Sequence, residues 1–293
     1  MNVESRTSRV ELGAANAAPA PSPFLVSRHP SRVTRQAFTL IEMLVVLSIM
    51  GIMAALAVPA LKNFGHADAM TAAAQQMVGD VGRARQLAIS QRTTVYMVFV
   101  PANFWANMTP AQQAMPATTN MCGEQMIGYT FIANGAVGDQ PGNHQWHYLA
   151  PWQTLPDGTF IAQSKFTNSP NQSYTITNDT IWGFNVTNSI PFPTETNLPL
   201  ANSQLVLPYI AFNYLGQLTF DGQTVAGRHE YIPLARGSVS PAIDPVTRAF
   251  MLTNTLPQVL EVPPGNSTNT TFNLIDIDPL TGRATVQQTK MGP

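Results

Sequence analysis

One long apolar run dominates the first quarter of the chain, reading FTLIEMLVVLSIMGIMAALAVPAL over residues 38–61. From Met43 to Leu61 it contains 19 residues without a charge. At about 1.5 Å per residue, a helix of that length spans roughly 28 Å, which matches the hydrocarbon core of a bilayer. The pattern therefore predicts a transmembrane helix over 38–61, with one carboxylate, Glu42, near its start.

Beyond Pro59 the apolar positions recur at steps of three and four residues, with polar side chains between them. This periodicity predicts an amphipathic helix over 62–92 that continues from the apolar segment. We expect Pro59 to bend the helix and not to end it, because membrane helices tolerate a proline kink. The apolar stripe needs a surface to cover it, and a β-sheet is the expected surface. The stripe consists of Met70, Met77, Val81, Ala84 and Ala88.

Residues 93–293 change to a pattern typical of β-strands. Short turn signals, Leu215-Gly216 and the PLTG at 279–282, join two pairs of predicted strands into hairpins. Three stretches rich in Asn, Thr and Pro (101–127, 134–157 and 164–205) are expected to be long loops. The predicted fold class is α+β, a long N-terminal helix packed on an antiparallel β-sheet domain. The strands are predicted at 93–100, 128–133, 158–163, 209–214, 217–221, 272–278 and 283–288.

Charge is scarce and unevenly placed. Charged residues make up 11% of the chain, and the net charge is −1. Five arginines and two glutamates give residues 1–37 a charge of +3, which leaves −4 for 38–293. Residues 1–37 are rich in Ala, Ser and Pro and lack periodicity, so we predict a disordered leader. Its arginines predict a cytoplasmic N-terminus and an exported remainder. The overall balance argues against nucleic acid as the main partner, and the arginines at 83, 85 and 92 are expected to lie on a solvated helix face.

Little else in the chain indicates catalysis. No GxSxG elbow is present, and HEYIP at 229–233 lacks the second histidine of a zinc-protease helix. Cys122 is the only cysteine, which excludes an intrachain disulfide and a CxxC site. We therefore predict a protein that is not an enzyme, with an inert, half-buried thiol at Cys122.

Two polar groups could bind a metal, and each has a simpler interpretation. His144 and His147 form an HxxH pair, for which anchoring a loop with the nearby Asp139 is the simpler role. Asp276 and Asp278 weakly resemble the start of a calcium loop, but a plain Asp-Pro turn explains them better. No cofactor is therefore expected.

Glu42 is the residue that most needs an explanation. A carboxylate at the centre of a membrane costs about 2.5–3.5 kcal/mol on insertion scales, and less near an interface, so it is by default a functional candidate. The surrounding RQAFTLIEMLVVLSIMGIMAALAVPAL closely resembles the N-terminal signature of type IV pilins and type II secretion pseudopilins. In that family a prepilin peptidase cleaves before the Phe and methylates the new amine. Phe38, Glu42 and Pro59 stand at the family's spacings, and Ala37 replaces the usual Gly before the cleavage point.

The resemblance implies a role for each of these residues. Cleavage is expected between Ala37 and Phe38, N-methylation at Phe38, and a helix bend at Pro59. Glu42 is expected to pair with the N-terminal amine of a neighbouring subunit and so to set the register of a filament. Other implied partners are the prepilin peptidase, further pilin or pseudopilin subunits, membrane lipid and an inner-membrane assembly platform.

Further matches indicate a subtype. GDVGRARQLAISQRTTVYMVF at 79–99 resembles H-type pseudopilins and FimT-like minor pilins, as do LPDGTFI, IAFNYLGQLTF and IDIDPLTGRATV. The resemblance implies a minor pilin-like or pseudopilin subunit, single-pass in a bacterial inner membrane, with residues 93–293 in the periplasm or in an extracellular filament. The alternatives are a major pilin subunit, a signal-anchored exported binding protein, and an exported enzyme cleaved after the ALA at 55–57.

Overall fold

The computed structural model describes residues 39–139, 145–167, 170–176, 179–194, 200–252, 256–268 and 273–288. Within α1 the side chains of 56–68 are not described. The chain divides into two compact units, Met1–Met53 and Ala54–Pro293, and each is considered by itself. Besides a 3₁₀ helix at Phe104–Asn107, the helices are α1 Leu40–Gln91, α2 Pro110–Gln113, α3 Pro116–Gly123 and α4 Gln163–Thr167.

The second unit is built from short strands around the C-terminal part of α1. In chain order they are β1 Val95–Phe99, β2 Gly128–Asn134, β3 Trp146–Tyr148, β4 Gln153–Thr154, β5 Thr159–Ile161, β6 Ser173–Ile176, β7 Asp179–Trp182, β8 Ile190–Phe192, β9 Leu200–Leu205, β10 Tyr209–Phe212, β11 Leu218–Thr219, β12 Glu230–Ser240, β13 Gln258–Glu261, β14 Asn273–Ile277 and β15 Ala284–Gln288. The seven predicted strands are all present, and the described sheets are antiparallel, so the α+β prediction is confirmed.

The first sheet has the order β11-β10-β1-β2-β3, with β4 also paired to β2. Its central strand β1 is buried along its whole length. Val95, Met97 and Phe99 join the core beside α1, whereas Tyr96 and Val98 join a separate core on the opposite face. Successive side chains of a strand point to opposite faces, so burial of both faces explains why β1 is apolar throughout.

The predicted stripe of α1 packs on the sheets. Met77, Val81, Ala84 and Ala88 are fully buried, and the partly buried Met70 packs against the same core. That core also contains side chains from both larger sheets, such as Phe212 of the first and Ile275 of the second. The helix therefore buries the alanine-rich face that its periodicity indicates, and this prediction is confirmed.

The second sheet, ordered β13-β12-β14-β15 with β5 beside β12, depends on a strand that the sequence pattern did not indicate. β12 contains Pro233 and Gly237, which are both unusual in strand interiors. Pro233 has no backbone N–H that would need a partner, and its carbonyl accepts the Ala162 N–H at 2.9 Å. At Gly237, with φ +149°, a Cβ atom would collide with the Leu260 backbone, so only glycine lets β13 pair here.

The three stretches predicted to be loops are more ordered than expected. They contain the 3₁₀ helix, α2, α3 and α4, and six strands from β3 to β9, excluding β5. These elements have two to eight residues, which is too short for a clear helical or strand period to develop. The prediction of long loops is therefore wrong for most of these stretches.

The two predicted hairpins form and meet beside α1. β10 pairs with β11 and β14 with β15. Arg85 of α1 donates its Nε–H to the Thr281 carbonyl at 2.7 Å, and Leu218 N–H donates to the Pro279 carbonyl at 3.0 Å. A Cβ on Gly282 would collide with the Gly216 carbonyl, so the two turns approach closely because both carry glycine.

Enlarging a side chain in the helix–sheet contact is expected to destabilise the second unit. Ala84→Leu adds side-chain volume at a position where the native Ala84 is 0% exposed to solvent. Overpacking of this kind costs about 1–3 kcal/mol, which corresponds to a loss of about 5 °C in Tm. Ala72→Leu on the exposed face of the same helix is the matched control and should change Tm by less than about 2 °C. Thermal unfolding of the full chain followed by circular dichroism measures both. Equal melting temperatures for the two variants would contradict the packing described here.

Candidate functional site

The part of α1 in the first unit exposes apolar side chains in all directions. Its first fourteen residues, Leu40–Met53, include eleven exposed large apolar side chains, such as Leu40 at 86% and Met53 at 68%. Contiguous apolar surfaces of this kind mark sites of contact with lipid or with another protein. This surface is therefore the first candidate for a functional site.

Thr39 caps the start of this helix. Its Oγ1 accepts the Glu42 backbone N–H at 3.3 Å, and its carbonyl accepts the same N–H at 3.1 Å. Thr39 and Glu42 thus have the spacing of a capping box, in which a threonine caps the helix and a glutamate three residues later can return the hydrogen bond. The TLIE sequence contains the signal for this capping arrangement, which the apolar pattern around Glu42 does not indicate.

The Glu42 carboxylate lies in the first turn of the helix. Helix N-termini stabilise negative charge, but by only about 0.3–1 kcal/mol when exposed. None of the ion pairs formed by the described residues involves Glu42. Ser48 differs, because its hydroxyl is satisfied within the helix by the Leu44 carbonyl at 2.8 Å. Glu42 is therefore the polar group of this segment that has the most to gain from a partner outside the chain.

Several predicted positions lie outside the described residues. Ala37 and Phe38 are among them, so cleavage and methylation stay predictions. The helix backbone runs through Pro59, but the surrounding side chains are not described, and the predicted bend stays a prediction. In the part of α1 whose side chains are described, no stretch is long and apolar enough to cross a membrane. The predicted span 38–61 includes Phe38 and 56–61, which fall outside that part.

The polar groups that could have bound a metal make structural contacts. His147 Nε2 lies 3.2 Å from Asp139 Oδ2, and Asp139 also accepts the Ala136 N–H, as a loop anchor requires; His144 lies outside the described residues. Asp278 accepts the backbone N–H of Thr281 at 2.7 Å, which is the geometry of an Asp turn.

Asp276 contacts His229 Nδ1 at 2.7 Å. Among the described residues no group of three His, Cys, Asp or Glu side chains is placed to hold a metal. Cys122 is a free thiol that is more buried than expected, at 2% exposure, and burial raises its pKa to about 11, which makes it unreactive.

The arginines near the end of α1 are partly used within the chain. Arg85 docks a hairpin as described above, and the Arg83 guanidinium lies 5.7 Å from the centre of the Phe131 ring. Arg92 has φ +53° and follows the last helical residue. These contacts account for two of the three charges without a nucleic-acid partner.

Comparison with known proteins assigns the N-terminal segment. Residues 32–58 match the family described as "Prokaryotic N-terminal methylation motif". The chain is also 35% identical over 103 residues to the "Type IV major pilin protein PilE1" of Neisseria gonorrhoeae. That match covers 35% of this chain and 42% of the relative, so it spans less than half of either protein. No solved structure matches the chain. The chain therefore carries a prokaryotic N-terminal methylation motif over residues 32–58 and is similar to a type IV pilin over about a third of its length.

Proposed function

We propose that the chain is a minor pilin-like or pseudopilin subunit of a type IV pilus or type II secretion filament. The observation that carries the proposal is the methylation motif, which ends in an exposed apolar helix with one carboxylate in its first turn. An anchored enzyme would need no such carboxylate in its anchor. Lipid before assembly and neighbouring helices after assembly would both cover the apolar surface.

Processing of the chain would create the partner that Glu42 lacks. Removal of residues 1–37 leaves Phe38 as the first residue, and its α-amine is a positive charge. The next basic side chain along α1 is Lys62, twenty residues after Glu42, which is too far along the helix to pair with the Glu42 carboxylate. In an apolar environment a carboxylate and an amine from adjacent subunits offset each other's desolvation. A pair of this kind would favour one axial position of a subunit over others.

The size of the second unit favours a minor subunit. The three stretches first predicted to be loops, at 101–127, 134–157 and 164–205, are here called the inserted stretches. They carry helices and strands of their own and enlarge the domain around the first sheet. A bulky domain is hard to repeat at every position of a tightly packed filament, whereas a tip position tolerates it. The similarity to an H-type or FimT-like subunit supports the same assignment. The similarity to a major pilin of Neisseria gonorrhoeae favours the alternative that this chain is a principal subunit.

Mass spectrometry of purified filaments tests processing and abundance together. The expected N-terminal peptide begins at methylated Phe38, and the expected amount of this chain is below about one-tenth of the principal pilin. A chain that begins at Val58 would indicate an ordinary secreted protein, and an intact Met1 would indicate a simple anchor; either result contradicts the family role. A processed chain that matches the principal pilin in amount would show the major subunit instead. Ala37→Gly is the control for cleavage efficiency and should raise the processed fraction or leave it unchanged.

A further inference from the structure

A cavity of about 490 Å³ opens on the face of the first sheet that is turned away from α1. This volume is within the range of small-molecule sites, about 300–1,000 Å³. The cavity wall is mainly apolar and aromatic and includes Met121, Tyr148, Trp152 and Pro193. Few polar side chains line it, chiefly Glu124 and Asn120. A largely apolar cavity with few polar groups is the usual composition of a ligand site.

The three inserted stretches build this cavity together. Met121 and Glu124 come from 101–127, Tyr148 and Trp152 from 134–157, and Pro193 from 164–205. Each wall is fixed in place: Met121 packs in the second core, and the Tyr148 hydroxyl accepts the Thr194 N–H at 2.9 Å. Segments distant in sequence thus converge on one preformed space, which filament packing through α1 does not require.

Glu124 is the charged group of the cavity wall. Its Oε2 is buried without a hydrogen-bond partner. The side chain lies against Gly128, where any Cβ would collide with Glu124 Cβ, so the carboxylate is held between the end of α3 and the start of β2. Burial raises the pKa of Glu124 to about 7. No Lys, Arg or His is among the described residues that line the cavity.

The position of Glu124 also favours a positive ligand. It directly follows α3, and its N–H donates to the Met121 carbonyl at the end of that helix. Helix C-termini favour cations and disfavour carboxylates. Tyr148 and Trp152 add aromatic faces, which attract a cation within about 6 Å.

We propose that this cavity binds a small organic cation, an ammonium group attached to an apolar or aromatic body, with Glu124 as its counter-ion. The apolar body would lie against Met121 and Pro193, and the ammonium group would lie by the carboxylate and the aromatic rings. The proposal does not depend on the position of the subunit in a filament. It adds a recognition function to a structural subunit.

Calorimetric titration of the full chain in lipid nanodiscs tests the proposal with 2-phenylethylammonium as the probe. Uncharged 2-phenylethanol, which has the same body, is the matched control ligand and should bind at least tenfold more weakly. Glu124→Gln keeps the shape of the side chain and removes its charge. It should therefore weaken binding of the ammonium probe at least tenfold and leave binding of 2-phenylethanol unchanged. Asp157→Asn, at an exposed carboxylate outside the cavity wall, is the matched control variant and should bind as the unmodified protein does.

The pH dependence supplies a second readout. Lowering the pH from 8 to 5.5 protonates Glu124 and should weaken binding of the ammonium probe about tenfold or more. Tyr148 and Cys122 stay neutral over that range, because burial raises the pKa of the phenol above its ordinary value and that of the thiol to about 11. Ala117→Leu, which fills the cavity from the α3 side, should abolish binding of both probes. The proposal is overturned if the unmodified chain shows no binding at millimolar probe, if Glu124→Gln binds the ammonium probe normally, or if affinity is equal at both pH values.

Discussion

Glu42→Val is expected to leave the protein in the membrane and to remove it from filaments. The substitution deletes an unpaired carboxylate from an apolar helix, so insertion is unchanged or improved, since such a charge costs up to about 2.5–3.5 kcal/mol. Leader cleavage should be largely unaffected, because the proposed cleavage point before Phe38 lies four residues earlier. Assembly should fail because the proposed pair with the amine of a neighbouring subunit is lost. We expect incorporation into sheared filaments to fall at least tenfold, measured by quantitative immunoblotting against the membrane pool.

The cap formed by Thr39 offers a competing explanation for Glu42. A capping box accepts glutamine as well as glutamate at its third helical position. Glu42→Gln therefore keeps the cap and removes the charge, whereas Thr39→Ala removes the cap and keeps the charge. A lost cap costs about 0.5–2 kcal/mol of helix stability.

The two explanations predict opposite outcomes for filament assembly of Glu42→Gln and Thr39→Ala. With an intersubunit charge pair, Glu42→Gln assembles as poorly as Glu42→Val, Thr39→Ala assembles nearly normally, and Glu42→Asp is intermediate because its reach is shorter. With a cap alone, Glu42→Gln assembles normally and Thr39→Ala fails. Normal assembly of Glu42→Val would contradict both roles for the carboxylate.

A second large effect is expected at a buried ion pair in the second unit. Lys165 of α4 and Glu230 of β12 are in direct contact, with side-chain exposures of 0% and 4%. The Lys165 ammonium also donates to the Trp182 carbonyl at 2.7 Å and lies 4.7 Å from the centre of the Phe184 ring. Burial lowers the pKa of Lys165 and raises that of Glu230, while their mutual attraction opposes both shifts. The pair ties an inserted stretch to the second sheet.

Removing one member of this pair should be far more damaging than removing both. Lys165→Met or Glu230→Leu leaves an uncompensated group in the core and should cost about 3–5 kcal/mol. For a unit of this size such a loss lowers Tm by about 10 °C or more. The double variant leaves neither charge behind, and similar exchanges elsewhere have been neutral or stabilising. It should recover most of the lost stability.

Chemical denaturation of the four proteins as a double-variant cycle measures the coupling between the two residues. The expected interaction energy is at least about 2 kcal/mol. Glu261→Gln, at a carboxylate of β13 that is partly exposed, is the control and should cost about 1 kcal/mol, the cost of its contacts with Ser267. Additive effects of Lys165→Met and Glu230→Leu would show that the pair contributes no coupling.

Local patterns predicted the elements that repeat over many residues. The α1 stripe has a helical period over about five turns, and its buried face follows from that period. The two predicted hairpins combine alternating strands with glycine turns, so short-range chemistry was enough. The same reasoning fails for β12, because its Pro233, Gly237 and buried Glu230 become favourable only when β5, β13, β14 and Lys165 are beside them.

The sequence by itself determined the α+β class, the end of α1 to within one residue of Gln91, and the methylation motif with Glu42 at its characteristic spacing, because each depends on residues close together in the chain. Only the tertiary structure decided that the inserted stretches are ordered, that Lys165 meets Glu230, and that Glu124 borders a cavity. Lys165 and Glu230 are 65 positions apart, and the residues that line the cavity come from three separate segments. No local propensity specifies such contacts, because their free energy arises from burial and desolvation, which exist only once the chain has folded.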